Sequence, residues 1–126
     1  MISITRDKRM LGYESLSSYS NISHFVTTRQ GGCSEGNYAS YGSFNCSPYT
    51  KDSCINVNCN QNKLFQITGH QIKELVIPEQ KHGSASLVVD ESFFKESLEV
   101  RRTLLRGIDA LITNVPGYCV CVTTAD

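Results

Sequence analysis

The sequence has no tryptophan, only three prolines and no surplus of charge of either sign. Twelve Lys and Arg balance twelve Asp and Glu, so the composition indicates neither a basic surface for nucleic acid nor an acidic tail. Uninterrupted apolar runs are short, which argues against a transmembrane helix of about 20 residues. The opening residues, MISITRDKR, carry charges where a secretory signal needs an apolar stretch. We therefore expect a cytoplasmic protein that binds neither nucleic acid nor membrane.

None of the six cysteines forms the Cys-x-x-Cys spacing of a structural zinc site. Without a secretory signal, we expect most of them to be reduced and buried as small hydrophobic residues, although an even number would also permit disulfides. Cys119 and Cys121 alternate along a predicted strand, so their side chains should point to opposite faces.

Helical and strand patterns are mixed without a regular βαβ repeat, which predicts the α+β class. A helix is predicted from a cap at Asp52 or Ser53 to about Ile67, with Gly69 as its stop. Residues 90–106 are predicted to be mostly helical. The predicted strands cover residues 22–28, 75–77, 85–90, 109–113 and 118–124.

The last predicted strand reaches the final residue, Asp126, with no further element to cover it. We therefore expect residues 1–126 to be the N-terminal portion of a single domain. The expected architecture is a mixed sheet with helices packed on one side and one apolar face left open. Such a face and its strand edges would favour self-association.

His82 is a candidate functional residue because it lies in the segment QKHG, residues 80–83, directly after an apolar run that ends at Pro78. Functional sites tend to be built where strands end. On residue type alone, the competing interpretation is an ordinary histidine of a surface loop. His24 and His70 are interpreted as structural.

Arg29 and Asn45 are candidates for ligand binding. Arg29 enters the loop RQGGCSEGN, residues 29–37, which has three glycines in nine residues. An arginine beside exposed backbone amides could clamp a phosphate or carboxylate, although a solvated turn arginine is the simpler alternative. The glycines match neither a dinucleotide-binding fingerprint nor a P-loop. Asn45 could hold a ligand through its amide or could cap a turn.

Several segments, taken in order, resemble the laccase-domain family, whose members are described as purine nucleoside phosphorylases and formerly as polyphenol oxidases. Each segment alone is a weak signal, but together they cover about residues 22–126. The matching segments are TRQGGCSEG (28–36), SFN (43–45), NQNKL (60–64), QKHG (80–83), DALIT (109–113) and TAD (124–126).

The resemblance implies that His82 is one of three zinc ligands, the others being a cysteine directly after Asp126 and a later histidine. It further implies phosphorolysis of adenosine or inosine to the base and ribose 1-phosphate, with adenosine deamination as a side activity. Arg29, Asn45 and His82 would be the catalytic residues, with Arg29 and Asn45 holding phosphate or ribose. The implied fold is an incomplete half of a layered α/β/β/α sandwich. Two departures from the family pattern are Gln61, often Arg, and Lys81, often small and apolar.

These implications lead to an expectation of geometry: His82, Asp126, Arg29 and Asn45 should meet in one concave region. The 126-residue chain by itself is expected to be inactive, because two proposed ligands are absent from it. A non-catalytic remnant, or a self-associating binding fragment, is the second hypothesis. A copper-dependent polyphenol oxidoreductase is the third, and metal analysis would separate it from the first.

Overall fold

The computed structural model of the chain describes residues 2–4, 10–34 and 42–124. Within these ranges it contains both helices and short strands, which confirms the predicted α+β class. The elements are β1 (Ile2–Ile4), β2 (Met10–Tyr13), α1 (Glu14–Ser17), β3 (Val26–Thr27), α2 (Cys54–Ile67), β4 (Glu74–Val76), β5 (Ser86–Val88), α3 (Glu91–Lys95), α4 (Leu98–Leu104), β6 (Ala110–Ile112) and β7 (Tyr118–Val120).

The chain divides into two compact units, Met1–Leu64 and Phe65–Asp126. In the first unit, β1, β2 and β3 form an antiparallel sheet in that order. In the second unit the described strands form two parallel pairs, β4 with β7 and β5 with β6. Both pairing types therefore occur, each in a small sheet. The prediction that the chain is part of one layered domain stays a prediction.

The predicted long helix is confirmed at both ends. The Ser53 hydroxyl oxygen accepts the backbone N–H of Asn56 at 3.1 Å, as an N-cap residue does. After Ile67 the chain turns through two residues with positive φ, Gly69 at +68° and His70 at +58°. The N–H of His70 donates to the carbonyl of Phe65 at 2.8 Å and satisfies one carbonyl of the last turn.

The second unit is built around a small apolar core of Val76, Val89, Phe93 and Leu105. The predicted buried strand at 75–77 is present as β4. The predicted helical segment 90–106 is present as α3 and α4, each with its own side-chain cap. Asp90 accepts the N–H groups of Ser92 and Phe93, and Ser97 accepts that of Val100.

Two predictions about the strands are only partly met. The strand predicted at residues 22–28 is regular only at Val26–Thr27, and the strand predicted at 118–124 ends at Val120. The expectation that Cys119 and Cys121 point to opposite faces fails for a different reason, because residues two apart in an extended segment lie on the same face. Their sulfur atoms lie 3.8 Å apart, so the prediction of opposite faces is wrong.

The cysteines also differ from expectation in one pairing. Cys33 and Cys59 form a disulfide with 6.1 Å between their Cα atoms. The pair links the glycine-rich loop to α2, two segments that are 26 residues apart in sequence. The other four cysteines lie outside any disulfide, as expected of most of them.

An apolar pair on the β5–β6 sheet is exposed in this chain. Val88 and Ile112 are register partners and keep 60% and 57% of their surface accessible. This pair supports the expected open apolar face, and self-association through it stays a prediction. Within the described residues, no helix is long and apolar enough to cross a membrane.

Candidate functional site

The loop that carries His82 is wrapped around the carboxylate of Asp109. Three consecutive backbone N–H groups, those of Lys81, His82 and Gly83, donate to it at 3.0, 2.7 and 2.9 Å. A Cβ atom at Gly83 would lie 3.2 Å from Asp109 Oδ2, which is tight and explains the small residue there. Asp109 stands directly before β6, so the strand fixes the loop through this one side chain.

A second contact joins the same loop to the segment after β7. The Gln80 side-chain oxygen accepts both the N–H and the hydroxyl of Thr123, at 2.6 and 2.8 Å. These two hydrogen bonds place the loop next to the segment that leads to Asp126. Asp126 itself lies outside the described residues, so its predicted proximity to His82 stays a prediction.

His82 presents an exposed imidazole on a backbone with φ of +60°. No described residue hydrogen-bonds to the ring. The contact with Asp109 therefore fixes the backbone of His82 and leaves its two ring nitrogens accessible. The neighbouring Lys81 extends across Gly107, where a Cβ atom would lie 3.3 Å from Lys81 Cδ. Lys81, which stands where the family often has a small apolar residue, is therefore accommodated by packing its aliphatic stem against Gly107.

In the described part of the glycine-rich loop, three successive backbone N–H groups donate to neighbouring segments. The N–H of Gly32 donates to the Ser43 hydroxyl at 2.9 Å, that of Cys33 to Asn60 Oδ1 at 2.6 Å, and that of Ser34 to the Ser43 carbonyl at 2.9 Å. A phosphate near this loop would therefore find these three donors already engaged. Among residues 32–34 no amide is left for an anion, so a clamp at these positions would depend on cationic side chains such as Arg29 or Lys63, whose ammonium donates to the Gly31 carbonyl at 3.2 Å.

Arg29 lies at the start of this loop and is exposed. Its Nε donates to the carbonyl of Gly42 at 3.0 Å, and its own carbonyl accepts the N–H and hydroxyl of Ser43. The Arg29 carbonyl and one of its guanidinium nitrogens thus hold residues 42 and 43 against the start of the loop. Its proposed role toward phosphate stays a prediction.

Asn45 organises a turn, which was the alternative to ligand binding. Its amide nitrogen donates to the Thr50 hydroxyl at 2.8 Å and to Asp52 Oδ2 at 3.2 Å, while its oxygen accepts the N–H of Ser47 at 3.0 Å. A ligand at Asn45 would have to compete with these contacts. Binding of phosphate or ribose by this residue stays a prediction.

Asn60 is the buried centre of the first unit's polar network and was missed as a site residue. It is fully buried, accepts the Cys33 N–H, and donates to the Ser34 hydroxyl at 3.0 Å and the Asn45 carbonyl at 2.7 Å. One side chain of α2 thus joins the glycine-rich loop to the Asn45 turn. The segment NQNKL contained the signal, but a single sequence gives no means of separating a buried asparagine from an exposed one.

Gln61 and Asp52 complete this network. The Gln61 amide donates to the Cys46 carbonyl at 2.8 Å, so a neutral side chain serves at the position where the family often has arginine. The hydroxyl of Ser34 donates to Asp52 Oδ2 at 2.6 Å and lowers the pKa of that carboxyl, with weaker help from Asn56 and Asn45 against the opposing effect of desolvation. Asp52 is therefore held as a carboxylate.

The candidate residues fall in different units: Arg29 and Asn45 in the first, His82 in the second. Their convergence on one ligand stays a prediction. Among the described residues, no three His, Cys, Asp or Glu side chains gather in a way that could hold a metal ion. The imidazole of His82 is a donor that zinc accepts, and at least one of three protein ligands would have to come from outside the described residues.

A protein-family match and similarity to individual proteins both place the chain in one family. Residues 23–126 match the family described as multi-copper polyphenol oxidoreductase laccase. Over all 126 residues the chain is 59% identical to a purine nucleoside phosphorylase of Bacteroides thetaiotaomicron, of which it covers 46%. It is 33% identical over 100 residues to a purine nucleoside phosphorylase of Corynebacterium glutamicum, covering 79% of this chain and 37% of that protein. An adenosine deaminase, RL5, from an unknown prokaryotic organism is 32% identical over 109 residues, covering 86% and 40% respectively. The chain thus spans less than half the length of these curated relatives.

Proposed function

The chain belongs to the multi-copper polyphenol oxidoreductase laccase family, and on that premise we propose that it forms part of a zinc-dependent purine nucleoside phosphorylase. The support is the 59% identity to a purine nucleoside phosphorylase. The structural observation that carries the proposal is an exposed imidazole, His82, on a loop fixed by Asp109. In this reaction phosphate attacks C1′ of the nucleoside, the purine leaves, and ribose 1-phosphate forms.

In the proposed site His82 is a zinc ligand and Asp109 is the residue that positions it. Zinc, when bound, would supply a Lewis acid that polarises a coordinated oxygen. Fixing three successive N–H groups limits how far the His82 backbone can move, which a metal ligand requires. Arg29 would supply positive charge for phosphate, since a guanidinium matches phosphate oxygens.

Adenosine deamination is proposed only as a side activity. The support is a more distant similarity, 32% identity to a protein named adenosine deaminase. Both reactions act on purine nucleosides, so one binding site could serve both. Assays with adenosine would separate them, because phosphorolysis releases adenine whereas deamination releases inosine.

The test compares two histidines that share a backbone conformation. His70 and His82 are both exposed, with φ of +58° and +60°. Asparagine tolerates positive φ, so His82→Asn and His70→Asn remove an imidazole with similar backbone cost. The protein used is the longest product of the encoding gene, purified with its metal and assayed with inosine or adenosine and phosphate.

We expect His82→Asn to lower both the affinity for zinc and the phosphorolysis rate by roughly 100-fold or more. Mutating even a residue that only hydrogen-bonds to a metal ligand typically lowers metal affinity or activity by about 10–100-fold. His70→Asn should leave both unchanged. A His82→Asn protein that keeps its zinc and its rate would refute the assignment. Bound copper with oxidation of phenols, and no phosphorolysis, would favour the oxidoreductase hypothesis instead.

A further inference from the structure

Two cysteine thiols lie next to each other at the end of β7. Cys119 is the middle residue of β7 and Cys121 follows the strand, and their sulfur atoms lie 3.8 Å apart. Both residues are half-buried, and neither belongs to the Cys33–Cys59 disulfide. We propose that Cys119 and Cys121 form a bidentate dithiolate site for a thiophilic cation of the zinc type, separate from the proposed site at His82.

The sulfur separation favours chelation over a disulfide. With Zn–S bonds of about 2.3 Å and a tetrahedral angle, two coordinated sulfurs lie roughly 3.8 Å apart, which is the separation of this pair. On binding, the Cys121 thiol would give up its donation to the Cys119 carbonyl at 3.4 Å. A disulfide would need the sulfurs at about 2.05 Å. The N–H of Cys121 still donates to the Val76 carbonyl at 2.9 Å, which keeps this backbone extended along β4. An extended two-residue step spans roughly 6.6–7.2 Å, at or beyond the usual Cα separation of a disulfide.

One thiol of this pair has a pKa below its ordinary value. The Cys121 thiol lowers the pKa of the Cys119 thiol through their hydrogen bond, against the opposing effect of burial. Cys46 provides the contrast, since burial raises the pKa of its thiol to about 11. Soft thiolates select soft or borderline cations, and a thiol must lose its proton to coordinate. Two protein ligands leave two positions for water or an external thiolate.

The experiment uses protein whose Cys33–Cys59 disulfide is intact and whose other cysteines are thiols. This protein is titrated with Cd²⁺, a spectroscopic stand-in for zinc, and the ultraviolet charge-transfer band of the cadmium–thiolate bond is followed. All variants carry His82→Asn, so that the proposed histidine site is disabled throughout. We expect a band that saturates at one equivalent and is lost by at least half in Cys119→Ser and in Cys121→Ser. Cys54→Ser, which removes an exposed cysteine, should leave the band unchanged.

A second measurement needs no cysteine variant. One equivalent of Cd²⁺ should slow alkylation of Cys119 and Cys121 by N-ethylmaleimide at least tenfold, read by peptide mass spectrometry, while Cys54 reacts at its usual rate. Equal alkylation with and without Cd²⁺ would overturn the proposal, as would a band that persists in both serine variants. A Cys119–Cys121 disulfide that forms in air and abolishes cadmium binding would show a redox pair and would also overturn it.

Discussion

Replacing Asp109 by alanine should release the His82 loop without unfolding the second unit. The change removes the shared acceptor of three backbone N–H groups. Hydrogen bonds to charged groups contribute about 1.5–3 kcal/mol when well shielded. Here the loop is exposed, so about 1 kcal/mol each is the better figure, or about 3 kcal/mol together. Since 1.4 kcal/mol corresponds to a factor of ten, the closed loop should lose roughly 100-fold in population relative to open forms.

Hydrogen–deuterium exchange measures that population directly. The amides of residues 81–83 should exchange roughly 100-fold faster in Asp109→Ala, provided that exchange occurs from the open loop. Asp90→Ala is the matched control, because Asp90 also accepts backbone N–H groups but caps α3. It should speed exchange at Ser92 and Phe93 only. Unchanged protection of residues 81–83 in Asp109→Ala would refute the reasoning.

Two further predictions concern the first unit. Asn60→Ala should lower the free energy of unfolding by about 2–4 kcal/mol, because it leaves buried partners without hydrogen bonds. Asn62→Ala, at an exposed position of α2, is the control. Equal urea midpoints for the two variants, followed by circular dichroism, would contradict the prediction. Asp52 has a folded pKa lowered mainly by the Ser34 hydroxyl, so its stabilisation is present above its unfolded pKa of about 3.9 and is lost as pH falls through the lower folded value. Melting temperatures between pH 2 and 7 should therefore fall less steeply toward acid in Asp52→Asn than in the native chain or in Glu99→Gln, and equal slopes would count against it.

Local signals in the sequence were sufficient for α2 and for the class of the fold. The Ser53 cap and the Gly69 stop act within a few residues of the helix ends, so their effect can be read from neighbouring positions. The buried β4 strand was likewise visible as a short apolar run before Pro78. The strand at 22–28 was over-extended because β-branched composition does not say where a pairing partner ends.

The contacts that define the candidate site were beyond such local signals. Asp109 and the loop it fixes are 26 to 28 residues apart, and Cys33 and Cys59 are 26 apart. Nothing in residue type or spacing indicates that these particular residues meet. The resemblance marked the segment of Asp109 as important, but the role of its carboxylate follows only from its three hydrogen bonds in the structure.

Gly32 illustrates how a glycine-rich motif can have a cause other than ligand binding. A Cβ atom there would lie 1.9 Å from the carbonyl oxygen of Ser43, so two backbone segments touch where no side chain fits. Grafting residues 29–34 onto another scaffold without residues 42–44 would therefore lose the backbone contact at Gly32. At Gly69, by contrast, nothing lies within 4 Å of a Cβ, and asparagine is a plausible replacement because it tolerates the positive φ. Glycine is thus required at Gly32 because no side chain fits, and favoured at Gly69 because of the positive φ, so a mutagenesis library should treat the two positions differently.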